Sequence, residues 1–349
     1  MVSGFEVPTV DISAYVHEGS PGARRRVAEQ IDDACRTVGF IQIVGHGVPA
    51  AVTTGIANAI DGFFEQPLET KKEYMRPKRE NRGYTPPKTE SLSYTIGIDP
   101  ITRMNDFFEA YNVGVTRADF PDAELPVEEY PDNTWPVEPA GFRPQVEAYF
   151  AQARRVARTL TDIFADALGV GRDFFEPFTR HSLDVLRMNN YALPPGSIEL
   201  GAEMTGMGEH TDFGVVTVLW ADQVAGLQVL GRDGLWHDVQ PADDAFLVNL
   251  GDVMARVTND QWMSTLHRVK PPIIDGTIVR RRSAAFFEDG DPAALVQPLA
   301  SFVPEGDEPL YAPVTLKEHI TAKLEGLKSL KKNLNAEREA ARVTTAVGA

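Results

Sequence analysis

Gly208-Glu209-His210-Thr211-Asp212-Phe213-Gly214 is the stretch on which the reading of this chain turns. In a β-prone run, residues two apart point to the same face of a strand, so His210 and Asp212 share one side and Thr211 turns to the other. An imidazole nitrogen beside a hard carboxylate oxygen is part of a donor set for a divalent metal such as iron. Alone the pair is weak evidence, because His and Asp often share a turn or a surface strand. The rest of the chain has to complete it.

Strand signals surround this stretch. Val185–Tyr191 runs to Pro194-Pro195-Gly196, and further strand-like runs follow at Val215–Leu219, Leu227–Leu230, Trp236–Val239, Ala245–Asn249, His267–Val269 and Ser283–Phe287. Turn signals such as Arg232-Asp233-Gly234 and Asp275-Gly276 separate them. Short strands at this spacing predict a barrel or a sandwich. Upstream the periodicity is helical. Val27, Ile31, Ala34, Cys35 and Val38 form one stripe over Ala23–Val38, and Gly39 is a natural stop. Phe40–Val44 reads as a strand, and Ala50–Phe64 as a second helix. His46, between two glycines, reads as a turn residue before a ligand. Phe142–Leu168 is the clearest helix, with Val146, Phe150, Ala153, Ala157, Leu160, Phe164 and Ala167 on one face, and it should back a sheet. The 67–139 stretch reads as irregular, either a binding loop or a surface connection. A last helix is expected over about 315–342.

The 349 residues carry 43% hydrophobic and 24% charged side chains, enough for a sizeable core in a single domain. Asp and Glu outnumber Lys and Arg by 50 to 34, a formal net charge of -16 that argues against a nucleic-acid partner. A small molecule is the expected partner, and oligomeric state stays open. Cys35 is the lone cysteine, which excludes internal disulfides and thiolate clusters and suits a reducing cytoplasm. No secretory signal is visible after Met1, and no apolar run reaches the ~20 residues of a membrane helix. A cytoplasmic protein without membrane attachment is expected.

Two downstream features speak to the site. His267, in Ser264-Thr265-Leu266-His267-Arg268-Val269 before Lys270-Pro271-Pro272, lies near a strand end. Two imidazoles and one carboxylate leave the far side of a metal open, the facial arrangement of non-haem Fe(II) oxygen chemistry. A closed zinc site would want a fourth ligand, usually a thiolate. In Arg281-Arg282-Ser283, alternation sets Arg281 and Ser283 on one face with Ala285 and Phe287, and Arg282 on the other. An inward guanidinium beside a hydroxyl is a carboxylate clamp. Taken alone, the run also reads as an exposed strand.

Together these residues resemble the isopenicillin N synthase-like branch of the Fe(II)/2-oxoglutarate-dependent dioxygenases. The matching pieces run through the chain in order: Val7-Pro8-Thr9-Val10-Asp11, Gly39-Phe40, Gly45-His46-Gly47-Val48-Pro49, Arg82-Gly83-Tyr84, Gly208-x-His210-x-Asp212, Asn249-Leu250-Gly251-Asp252, Thr258-Asn259, Ser264-x-x-His267, Arg281-x-Ser283 and Tyr311-x-Pro313-Val314-Thr315. The resemblance implies a mainly β fold with flanking helices, a double-stranded β-helix (jelly roll) at about 180–300 inside one 1–349 domain, after a mostly helical part to about 175. It implies Fe(II) on His210, Asp212 and His267, O2 as oxidant, and 2-oxoglutarate with its far carboxylate on Arg281 and Ser283, helped by Tyr191 and Asn189. Ala192 stands where the family pattern has proline after the tyrosine, which weakens the reading of Tyr191. Dioxygen cleavage takes four electrons and a substrate C–H bond gives two, so decarboxylation of 2-oxoglutarate to succinate and CO2 supplies the others. Hydroxylation is the default outcome, with desaturation or cyclisation as variants. Phe107, Glu109, Phe213, Phe287 and Arg103 are the expected substrate-pocket residues. An oxidase of this fold that does not use 2-oxoglutarate is the rival reading, and a non-catalytic ligand-binding protein a remoter one.

Overall fold

The computed structural model describes residues 5–90, 92–96, 107–192, 206–274 and 277–329. Two sheets face each other across a cavity. The larger has eight strands in the spatial order Thr9–Asp11, Phe40–Val44, Phe246–Leu250, Val216–Ala221, Arg281–Glu288, Val185–Tyr191, Glu109–Gly114 and Gly83–Thr85. The smaller runs Met207–His210, His267–Val269, Leu227–Leu230, Trp236–Asp238. From Val185 onward the chain passes back and forth between the two sheets, which makes the core a double-stranded β-helix.

Half of the large sheet comes from the amino-terminal part, as four short strands set among its helices. Within the stretch expected to be irregular, Glu109–Gly114 is a fully buried strand paired antiparallel with Val185–Tyr191. Its polar residues hid it. Glu109 and Asn112 interrupt the apolar pattern, yet both are buried with polar partners that offset the cost of burial. Glu109 takes an ammonium from Lys71 at 2.7 Å and hydrogen bonds from Tyr84 and Asn190.

The Phe142–Leu168 helix lies on the outer face of the large sheet. The Tyr149 hydroxyl donates to the Ala284 carbonyl, and Phe150 meets Phe286 edge-on at 5.2 Å. Val146, Ala153, Ala157, Leu160 and Phe164 of the expected stripe are buried, while Phe150 and Ala167 at its rim are partly exposed. Fully burying a side chain such as Phe164 contributes about 1.5–3 kcal/mol. The helix ends on Gly169, whose φ of 67° suits a left-handed cap. The first long helix runs Pro21–Thr37, begun by the Ser20 cap, with Val27, Ile31, Ala34 and Cys35 buried. Gly39 turns the chain at φ +71, where a Cβ would sit 2.3 Å from the Met263 carbonyl oxygen. His46 is a turn residue: its Nδ1 accepts from Val48 and its Nε2 donates to the Asp244 carbonyl. The last helix is Leu316–Ser329, and the remainder of the expected 315–342 helix lies outside the described residues. Among the described residues no helix is long and apolar enough to cross a membrane.

Candidate metal centre and cavity

His210 closes its strand and pairs across the small sheet with His267, the first residue of its own strand. Asp212 lies beyond the strand, so the alternation expected to align it with His210 is not what places it. The chain turns after His210, held by the Asp252 amide donating to the Asp212 carbonyl at 2.9 Å. The three side chains still converge, all buried, with one ligand atom from each lying within 4.8 Å of the others.

Each ligand atom is aimed by a second bond. His210 Nδ1 donates to the Gly208 carbonyl at 2.8 Å and His267 Nδ1 to the Thr265 carbonyl at 3.1 Å, so both Nε2 lone pairs face inward. Those nitrogens lie 3.8 and 3.7 Å from Asp212 Oδ1. The other carboxylate oxygen is taken by the Thr217 hydroxyl at 2.5 Å and the Asn249 amide at 2.6 Å. Burial and the adjacent His267 lower His210 to about 3, which keeps it in the neutral form that a metal binds. Two imidazoles and a carboxylate with open space opposite fit Fe(II) better than a closed zinc site. The lone thiol, Cys35, is buried elsewhere, and burial raises its pKa.

The same cavity is lined by Arg281 and Ser283, the two residues expected to clamp a carboxylate. Arg281 and Ser283 face inward, each 2% exposed, while Arg282 points outward to Asp61 and Asp222. Arg281 Nε is buried and has no hydrogen-bond partner among the described residues. A buried guanidinium with an unused donor fits a carboxylate ligand. The Tyr191 ring lies beside that guanidinium at 5.2 Å, and Asn189 Nδ2 reaches the Ser283 hydroxyl at 3.4 Å.

The expected substrate-pocket residues divide. Phe213 and Phe287 line the cavity. Glu109 does not: Ala110 pairs with Asn189 on the inner face, so alternation turns Glu109 outward to Lys71. Phe107 is packed into an apolar cluster with Leu92, Phe108 and Tyr191, outside the cavity lining. Arg103 lies outside the described residues. Arg82, noted as part of a family motif, is buried against Gly114 and donates to the Val115 carbonyl at 2.8 Å. Burial lowers its pKa to about 10.

Several lining residues were missed. Arg187 shares the inward face with Asn189 and Tyr191, ion-paired to Glu90 at 2.5 Å and donating to Asn189 at 3.2 Å. Asp289 continues the inward alternation of Arg281, Ser283, Ala285 and Phe287 by one more step. Burial, with the carboxylates of Asp184 and Asp212, raises its pKa to about 8. Applying the period of two further along each strand would have found both. Behind the metal loop, Lys323 of the last helix pairs with Asp252 at 2.7 Å and donates to Thr211 at 3.1 Å. No local sequence signal marks that contact.

The chain matches known proteins along most of its length. The model described as "2OG-Fe(II) oxygenase superfamily" matches residues 183–289, and that described as "non-haem dioxygenase in morphine synthesis N-terminal" matches 7–138. The 2-oxoglutarate-Fe(II) type oxidoreductase hxnY of Emericella nidulans is 31% identical, over 90% of this chain and 88% of that protein. Validamycin A dioxygenase of Streptomyces hygroscopicus subsp. limoneus is 34% identical, over 86% and 81%. A full-length Neurospora crassa protein, solved in complex with alpha-KG, superposes with a TM-score of 0.80 at 26% identity, covering 93% of this chain and 98% of that one.

Proposed function

The chain belongs to the 2OG-Fe(II) oxygenase superfamily, and from that premise we propose that His210, Asp212 and His267 hold Fe(II) while Arg281 and Ser283 seat 2-oxoglutarate. The protein is a 2-oxoglutarate- and Fe(II)-dependent dioxygenase that oxidises a small molecule. The observation that carries the residue assignment is the meeting of all five side chains in one cavity.

When bound, Fe(II) and 2-oxoglutarate activate dioxygen, with decarboxylation to succinate and CO2 supplying the electrons that the substrate C–H bond does not. The chain's own part is positioning. Gly208 and Thr265 carbonyls fix the imidazole tautomers, and Thr217 with Asn249 leaves one Asp212 oxygen for the ion. Arg281 and Ser283 hold the far carboxylate of the co-substrate, with Tyr191 and Asn189 orienting them. Phe213 and Phe287 on the other side keep water from the reacting C–H bond. The outcome we assign is hydroxylation; product mass separates it from desaturation or cyclisation. The test is incubation in air with Fe(II), 2-oxoglutarate and a metabolite library, reading substrate-stimulated succinate. His210→Ala should abolish the signal in a folded protein. Retained turnover refutes the ligand assignment.

A further inference from the structure

Two polar side chains stand on the buried face of the last helix. In Leu316–Ser329, Leu316, His319, Ile320 and Lys323 are buried, the spacing of one helical stripe. Lysine is almost never buried this deeply without a partner, and Lys323 is 1% exposed. An apolar side chain would fill the same space, so packing alone does not call for an ammonium here.

The stripe meets the metal loop. Lys323 Nζ donates to the Thr211 hydroxyl at 3.1 Å and lies 5.7 Å from the centre of the Phe213 ring. His319 Nε2 donates to the Phe213 carbonyl at 3.2 Å. The helix therefore holds the residues on both sides of Asp212. Its central link is Asp252, whose amide donates to the Asp212 carbonyl. The Asp252 carboxylate takes Lys323 at 2.7 Å, Ser264 at 2.7 Å and Thr211 at 3.3 Å. Thr211 lies between His210 and Asp212, and Ser264 three residues before His267. One carboxylate thus ties both ligand-bearing segments to the helix. Next to His319 and Lys323 in the chain, Ile320 and Leu324 line the cavity along with Phe213. The seat of the helix on the loop and its wall of the cavity are set together.

We propose that the last helix belongs to the metal centre. Lys323 is a positioning residue that acts through Asp252 and Thr211 to hold Asp212 in place for the ion, and metal binding in turn seats the helix as a wall of the cavity. The proposal rests on the reading of His210, Asp212 and His267 as the ligands. Such coupling is reciprocal: the factor by which the seated helix raises metal affinity is the factor by which metal favours the seat.

The test is titration of the metal-free full-length protein with Mn(II), without oxygen, following the free ion by electron paramagnetic resonance. Lys323→Met should weaken Mn(II) about 10- to 100-fold, as loss of an outer partner of a metal ligand does. Val146→Ala, a buried truncation in the helix on the outer face of the large sheet, should leave Mn(II) affinity unchanged. Hydrogen–deuterium exchange supplies a reading that needs no variant. In wild type, saturating Mn(II) should slow exchange across Leu316–Ser329 at least about tenfold more than across Phe142–Leu168. Equal protection of the two helices, wild-type Mn(II) affinity in Lys323→Met, or an equal loss in Val146→Ala overturns the proposal. His210→Ala separates the two levels. Mn(II) affinity unchanged by His210→Ala sinks the ligand reading and the proposal with it, whereas affinity lost there beside equal protection of the helices sinks the coupling alone.

Discussion

Lys323→Met tests how the last helix holds the loop that carries Asp212. The Lys323 ammonium is 2.7 Å from Asp252 Oδ2, with the two side chains 1% and 4% exposed. Asp252 in turn accepts from Ser264 at 2.7 Å and Thr211 at 3.3 Å, and its amide holds the Asp212 carbonyl. Burial opposes ionisation of Asp252, yet Lys323 and His319 carry its pKa below the ordinary value. Removing one partner of a buried pair costs about 3–5 kcal/mol, because the other charge is left uncompensated. The bonds from Ser264 and Thr211 remain, so Lys323→Met should sit near the lower end, about 3 kcal/mol of a total of ~5–15. Lys323→Met with Asp252→Asn strands no charge and should cost less than the two single changes added together, by about 2 kcal/mol or more. Denaturant unfolding of wild type, both single variants and the double variant measures this coupling. A loss under about 1 kcal/mol for Lys323→Met, or additive single effects, would refute the reasoning.

Arg281→Met should weaken 2-oxoglutarate about 10- to 150-fold, the value of a charged hydrogen bond, in titrations of the metal-loaded protein. Unchanged affinity would remove Arg281 from the clamp. Thr217→Val keeps the side-chain shape but deletes the 2.5 Å bond to Asp212, and should lower Fe(II) affinity about 10- to 100-fold in metal titrations. Burial lowers His319 from 6.5 to about 4, so the unfolded chain takes up this proton first as pH falls. Its contribution is present above about pH 6.5 and is lost between there and about pH 4, up to ~3 kcal/mol. His319→Gln should flatten the pH dependence of unfolding in that window, and an unaltered slope would count against the assignment.

The sequence by itself determined the periodic parts of this protein. Strand alternation placed Arg281 and Ser283 on one face and Arg282 on the other, and the helical stripe of Phe142–Leu168 identified the face that covers the sheet. These are local properties: a side chain's direction follows from its position along one element. Tertiary structure decided the rest. Glu109–Gly114 became a buried strand because Lys71, Tyr84 and Asn190 satisfy Glu109 from distant positions. His210, Asp212 and His267 converge through pairing across the small sheet and the Asp252 bond to the turn, contacts between residues far apart in the chain. Lys323 reaches Thr211 and Asp252 only once the last helix has packed behind the loop. Partners that meet only on folding leave no periodic trace in the chain, which is why the ligand types were legible and the network that aims them was not.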